Sequence, residues 1–198
     1  MFNLNNFSTI ENNYQNGLLP QRNSQKLFYQ QTSCRSNLSL FNLSSENRRI
    51  LNKTSGYFSE VISLNNFSFS LDVQKTIFSW IKKLGWNFPM SSVKYIFSSH
   101  IFNRLYIWKD SRNQIIAYSI CYFSKTISHI AYVFYNPSLS KTNLPIRLTL
   151  QVIIDSHQQK LPFCYLGCFE AKTQGIGYYK RNMPGFEYFS QKQWIKLE

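Results

Sequence analysis

Acidic residues are scarce in this chain: 9 Asp and Glu stand against 22 Lys and Arg, a net charge of +13. A surplus of that size points to an anionic partner, either nucleic acid or a membrane surface. A composition rich in Asn, Ser, Lys, Ile and Phe gives the same surplus without any partner, so charge alone leaves both open. Long apolar runs are missing. No stretch reaches 18 residues, which excludes a transmembrane helix, and no membrane partner is expected. The Asn-rich N-terminus lacks a basic segment followed by an apolar core, so no secretory signal and a cytoplasmic location are expected. Cysteine is sparse and scattered. Cys34, Cys121, Cys164 and Cys168 show no paired metal-ligand spacing, which argues for reduced, mostly buried thiols and no metal. Cys164 and Cys168 stand four apart in a strand-like run and are expected on one face. The three histidines, His100, His129 and His157, fall on different elements. No Ser-His-Asp or Cys-His constellation is visible.

Apolar and aromatic material is plentiful. With 43% hydrophobic and 17% aromatic residues, 198 residues can bury one sizeable core. Residues 1–20 read as a loose polar leader, 21–60 as an N-terminal segment and 61–198 as the main domain. Lys26–Ser33 and Ser36–Leu43 read as short strands. Ser44-Ser45 suits the cap of a basic helix over Glu46–Lys53. Ser70 suits the cap of a longer helix, Leu71–Leu84, whose Val73, Ile77, Trp80, Ile81 and Leu84 share one face and which Gly85 ends. A shorter helix is expected over Ser91–Ser98. Three strands follow at Arg104–Lys109, Gln114–Phe123 and Ser128–Tyr135, separated by polar turns, which predicts an antiparallel meander. Pro145 opens another helix, with Ile146, Leu150, Ile153, Ile154 and His157 on one face. Phe163–Phe169 is then a strand after a helix, expected parallel to the strand before that helix. Short strands near Phe186 and Trp194 complete an α+β chain with a mostly antiparallel central sheet flanked by helices.

Gly167 sits inside the Phe163–Phe169 strand. A glycine there marks a bulge or a close approach by another group. A polar, aromatic and basic loop follows, with Tyr178, Tyr179, Lys180 and Arg181.

The element order resembles half of a GNAT acyltransferase. The Gly-rich turn that such enzymes use to hold the CoA pyrophosphate at a helix N-terminus would fall at Asn136–Pro145, which contains no glycine. Gly175-Ile176-Gly177 lies later and opens no helix, so a flexible loop is the expectation there. Two blocks carry a second resemblance. The first is Arg22-Asn23-Ser24, Tyr29, Cys34 and Ser45-Glu46-Asn47-Arg48-Arg49, continuing to Lys53. The second is Tyr132–Tyr135 with Asn136-Pro137, the helix to His157, Tyr165-Leu166-Gly167 and Tyr179-Lys180 through Glu187. In that order they resemble the N-end-rule aminoacyl-tRNA–protein transferases, the arginyl and leucyl transferase family. Asn136 stands where the family has Asp before Pro, Gly185 stands at the family's proline, and Cys34 alone represents its cysteine cluster.

The resemblance implies a monomeric enzyme without a cofactor. It would move arginine or leucine from aminoacyl-tRNA to the N-terminus of an acceptor protein. It places Tyr165, Gly167 and Tyr179 at the reacting centre. It assigns Arg48, Arg49, Lys53, Tyr135, Asn136, Lys180 and Arg181 to the tRNA and to an acidic acceptor. The ester of aminoacyl-tRNA is already activated, so proximity and orientation supply most of the rate and no covalent triad is needed. Two other readings remain: an acyl-CoA N-acyltransferase, and a non-catalytic tRNA-binding relative.

Overall fold

The computed structural model describes residues 9–23, 27–98, 101–169 and 178–197, and among these residues ten strands and five α-helices are present. In order they are α1 (Thr9–Gln15), β1 (Leu18–Pro20), β2 (Phe28–Gln30), β3 (Ser33–Asn37), α2 (Ser45–Lys53), β4 (Phe58–Ser63), α3 (Leu71–Lys83), α4 (Met90–Phe97), β5 (Arg104–Lys109), β6 (Ile115–Phe123), β7 (Ile127–Tyr135), α5 (Leu144–Gln158), β8 (Phe163–Cys168), β9 (Phe186–Ser190) and β10 (Gln193–Lys196). Eight strands form one sheet in the order β10-β9-β3-β8-β7-β6-β5-β4, while β1 and β2 pair separately. Every neighbouring pair is antiparallel except β7 and β8, which run parallel because α5 connects them.

Alternation decides which residues face which helices. Along β5, Leu105 and Ile107 join the core beneath α1, α3 and α4, with Tyr14, Ile77, Trp80, Val93 and Ile96. Tyr106 and Trp108 join the core beneath α2 and α5, with Ile50, Leu144, Leu148, Val152 and Ile153. The sheet is thus covered by helices on both faces, as the pattern of α3, the meander and α5 predicts. Along one face of α5, Arg147, Gln151 and Asp155 form a polar row in which each side chain hydrogen-bonds the next. The buried side of the helix centres on Leu148, Val152 and Ser156, while His157 is exposed and stacks on Phe41 at 4.1 Å.

Local chemistry sets the helix ends. Ser44 Oγ accepts from Asn47 N, and the Asn47 side chain accepts from Ser44 N, a reciprocal capping box at α2. Ser70 caps α3 through Val73 N. The strand expected over Ser36–Leu43 stops at Asn37. There the side-chain oxygen accepts from Ser39 N at 3.2 Å and turns the chain into a single 3₁₀ turn.

Other features also depart from the sequence reading. Residues 9–20 of the expected leader are folded: α1 places Tyr14 fully inside the core. The 21–60 segment is part of the main sheet, with β3 lying between β8 and β9. The edge strand β4 was not expected, because its exposed, serine-broken pattern carries little period-two signal.

Candidate active site

The parallel pair opens into a cleft. β7 and β8 share a register only over Ile127–His129 and Phe163–Tyr165. Beyond it, β8 bulges against β3: Arg35 pairs with Tyr165 and Cys34 with Gly167, so Leu166 is skipped. Gly167 adopts φ 83 there, a left-handed conformation that favours glycine. The bulge expected at Gly167 is present. It also ends the strand's alternation, so Cys164 is buried while Cys168 is exposed, and the two do not share an environment.

The opening measures about 590 Å³. One wall is Ile130–Phe134 of β7; the other is Leu166 and Cys168 of β8 with Tyr179 and Lys180. Thr149 of α5 reaches it from one side of the sheet, and Gly85-Trp86-Asn87-Phe88, after α3, from the other. Arg22, between β1 and β2, completes the lining.

Three polar side chains of the cleft are held by specific partners. The Lys180 ammonium donates to the Cys168 carbonyl at 2.9 Å, passing within 3.5 Å of where a side chain on Gly167 would begin. The Tyr179 hydroxyl lies 3.2 Å from Thr149 Oγ1. Arg22 donates to the Asn87 carbonyl at 3.3 Å, and its guanidinium lies over the Phe88 ring at 5.0 Å. The short turn bearing Tyr179 and Lys180 is tied to α2 by the Asn47 amide, which donates to Asn182 O at 3.2 Å. Met183, buried in the core, anchors its far end.

The structure brings together Gly167, Tyr179 and Lys180 from the expected site. Tyr135 stands beside it, half-buried with its ring 6.2 Å from Trp86. Other expected residues lie elsewhere. Tyr165 points to the opposite core, its ring 4.9 Å from Tyr14 and 5.6 Å from Trp194. Burial pushes its hydroxyl up to about 12, with the Arg35 guanidinium acting in the opposite direction. Strand alternation is the reason: neighbours of Tyr165 face the α5 side, so Tyr165 cannot. Asn136 caps the short 3₁₀ turn after β7, its side chain accepting from Ser138 N at 3.1 Å. Arg48, Arg49 and Lys53 are exposed on α2 and do not line the cleft. Arg48 donates to the Leu43 carbonyl, and Arg49 pairs with Glu46 at 2.6 Å. Arg181 is half-buried on the cleft-lining turn but outside the lining itself. The side chain of Tyr178, His100, Ser24 and Gly175-Ile176-Gly177 lie outside the described residues.

Sequence reasoning missed Arg22 as a lining residue and missed the Gly85–Phe88 loop entirely. The available signal was two aromatics flanking Asn87 directly after a helix stop.

Among the described residues no histidine lines the cleft. His129 is buried and hydrogen-bonded through Nδ1 to the Tyr14 hydroxyl at 2.8 Å. Burial lowers it to about 3, with Lys180 adding in the same direction, so it is neutral at physiological pH. Among the described residues no group of three or more His, Cys, Asp or Glu is arranged to hold a metal. At the start of α5, Asn143, at φ 64, makes no side-chain cap, Pro145 carries no N–H, and the turn over 136–145 holds no glycine that would let backbone N–H groups close on a pyrophosphate.

No protein-family model matches the chain, and no curated protein matches it. Solved structures do. The C-terminal domain of a lysylphosphatidylglycerol synthetase from Agrobacterium fabrum superposes with a TM-score of 0.59 at 13% identity, over 80% of this chain and 58% of that one. FemX gives 0.57 at 9% identity, over 90% and 65%. A GCN5-related glucosamine N-acetyltransferase region of a fungal multi-domain β-N-acetylglucosaminidase gives 0.53 at 10% identity, over 80% and 20%. The fold is of the GNAT type. This chain spans little more than half the length of the lysylphosphatidylglycerol synthetase domain it resembles.

Proposed function

We propose that the protein is an aminoacyltransferase that takes its acyl group from aminoacyl-tRNA and delivers it to an amine held in the β7–β8 cleft. The carrying observation is the cleft itself: an opening between β7 and β8 flanked by Arg22 and Lys180, with no glycine in the turn before α5 where a CoA pyrophosphate would be held. The likeness to a lysylphosphatidylglycerol synthetase, named for an aminoacyl product, supports the same class. The surplus of 13 positive charges suits a tRNA donor. The finer form of the proposal is N-end-rule transfer of leucine or arginine to a protein N-terminus whose first residue is acidic.

The chemistry asks little of the protein beyond placement. The acceptor nitrogen attacks the ester carbonyl, the ester C–O bond breaks, and the tRNA hydroxyl leaves while the amine loses a proton. Holding both partners in the cleft supplies most of the rate. The Lys180 ammonium, fixed by the Cys168 carbonyl, is the group suited to a developing oxyanion. Tyr179, fixed by Thr149, orients the acceptor beside it.

The test is incorporation of labelled amino acid from a charged tRNA pool into reporter peptides beginning with Asp, Glu or a neutral residue. Transfer is expected, and Lys180→Ala should lower it at least about tenfold without changing the melting temperature. No incorporation from any aminoacyl-tRNA ends the reading. Stabilisation by acetyl-CoA then favours an acyl-CoA enzyme, and salt-sensitive tRNA binding without transfer favours an RNA-binding relative.

A further inference from the structure

Arginine and leucine make opposite electrical demands on the cleft. Among the described residues, the charged side chains lining it are Arg22 and Lys180, both cations. Each is held by a carbonyl and not by a carboxylate: Arg22 by Asn87 O and Lys180 by Cys168 O. The ion pairs Arg35–Glu187, Arg49–Glu46 and Lys109–Glu60 lie elsewhere. A carbonyl orients a cation without neutralising it, so the described lining keeps a positive potential. The rest of its wall is largely apolar and aromatic, including Ile130, Val133, Leu166, Trp86 and Phe88.

An arginyl or lysyl side chain entering this space gives up water and meets like charges. A leucyl or phenylalanyl side chain gives up only apolar hydration, which favours entry. We propose that the aminoacyl group accepted by the cleft carries an uncharged, apolar side chain, of the leucine or phenylalanine kind, and that Arg22 and Lys180 reject arginine and lysine. This rests on the aminoacyltransferase reading and decides between the two donors it leaves open. A shared fold does not carry the substrate with it, so the choice of donor rests on these lining residues.

Two readouts keep the inference separate from that reading. In the first, leucyl-, phenylalanyl-, arginyl- and lysyl-tRNA are offered at equal concentration to one reporter. Leucine or phenylalanine should transfer at least about tenfold faster, the discrimination a mismatched side chain ordinarily brings. Equal or faster transfer of arginine or lysine overturns the proposal. In the second, calorimetry measures binding of 3′-aminoacylamino-3′-deoxyadenosine, a stable amide, in leucyl and arginyl forms. The leucyl form should bind at least about tenfold more tightly. If it does while no tRNA supports transfer, the transferase reading fails and the cleft selectivity stands. If neither form binds, or the arginyl form binds as well, the selectivity fails. Lys180→Glu should narrow the leucyl preference, with Lys180→Met as the variant that keeps the stem and removes the charge. An unchanged ratio in both variants, with folding verified by thermal unfolding, removes Lys180 from the explanation and overturns its part in the proposal.

Discussion

Gly167 and Gly185 both have left-handed backbones, at φ 83 and 62, yet their neighbours differ in a way that can be measured. A side chain on Gly185 would begin 2.2 Å from the Asn37 carbonyl oxygen. That strand end is fixed, because Asn37 N donates to Gly185 O at 2.7 Å. A side chain on Gly167 would meet only the far end of Lys180, at 3.5 Å. Gly185→Ala is therefore expected to cost about 3 kcal/mol or more, through strain and backbone displacement together. Gly167→Ala should cost about 1–2 kcal/mol, the left-handed penalty alone. Urea unfolding of both variants checks the order, and equal losses would mean that the Asn37 contact yields freely. The same pair explains what the sequence could and could not reveal. A glycine inside a strand announces a bulge, so Gly167 was legible. The phase change it imposes on Cys168, and the carbonyl packed against Gly185, depend on partners more than a hundred residues away in the chain.

Among the elements, α2 has a role that its exposed arginines conceal. Its buried Asn47 completes the capping box with Ser44 and also donates to Asn182 O. It thereby links the helix start to the turn carrying Tyr179 and Lys180. Asn47→Ala removes both functions and should cost about 1–3 kcal/mol, the range for a lost cap together with a buried hydrogen-bond partner. Amino-acid transfer should fall further than in Ser44→Ala, which loses the cap while keeping the Asn182 tie. Equal transfer in the two variants, measured well below their melting temperatures, would show that the tie does not position the turn. Local elements of this kind were legible: the α2 and α3 caps, the meander and the parallel β7–α5–β8 unit follow from periodicity and stop signals. The insertion of β3 between β8 and β9 was not, because β3 is five residues whose burial comes from its place in the sheet. Part of the cleft was hidden for the same reason. Arg22 and the Gly85–Phe88 loop meet Lys180 only after the sheet is assembled.

At the scale of the whole molecule the excess of basic groups cannot be balanced internally, since 9 acidic residues face 22 basic ones. The exposed α2 cations Arg48, Arg49 and Lys53 lie outside the cleft, which fits long-range attraction of a polyanion better than contact with a reacting group. If tRNA is the donor, binding releases counterions and weakens steeply with salt. Contacts to about five phosphates predict a loss of affinity of about 10²–10³-fold between about 50 and 200 mM salt. Replacing Arg48, Arg49 and Lys53 together by Ala should make that dependence shallower, while the ratio of leucyl to arginyl transfer stays as in the unaltered protein. Lys180→Met should do the reverse, changing the ratio with little effect on the salt dependence. Arg49 already pairs with Glu46, so its separate contribution should be smaller than that of Lys53. Fluorescence titrations of labelled tRNA across the salt series measure the slope, and the transfer assay measures the ratio. A flat salt dependence would mean that the positive surplus serves no polyanion, and the tRNA donor would then have to be abandoned. A triple variant that altered the ratio would place α2 close to the reacting groups, against its position in the fold.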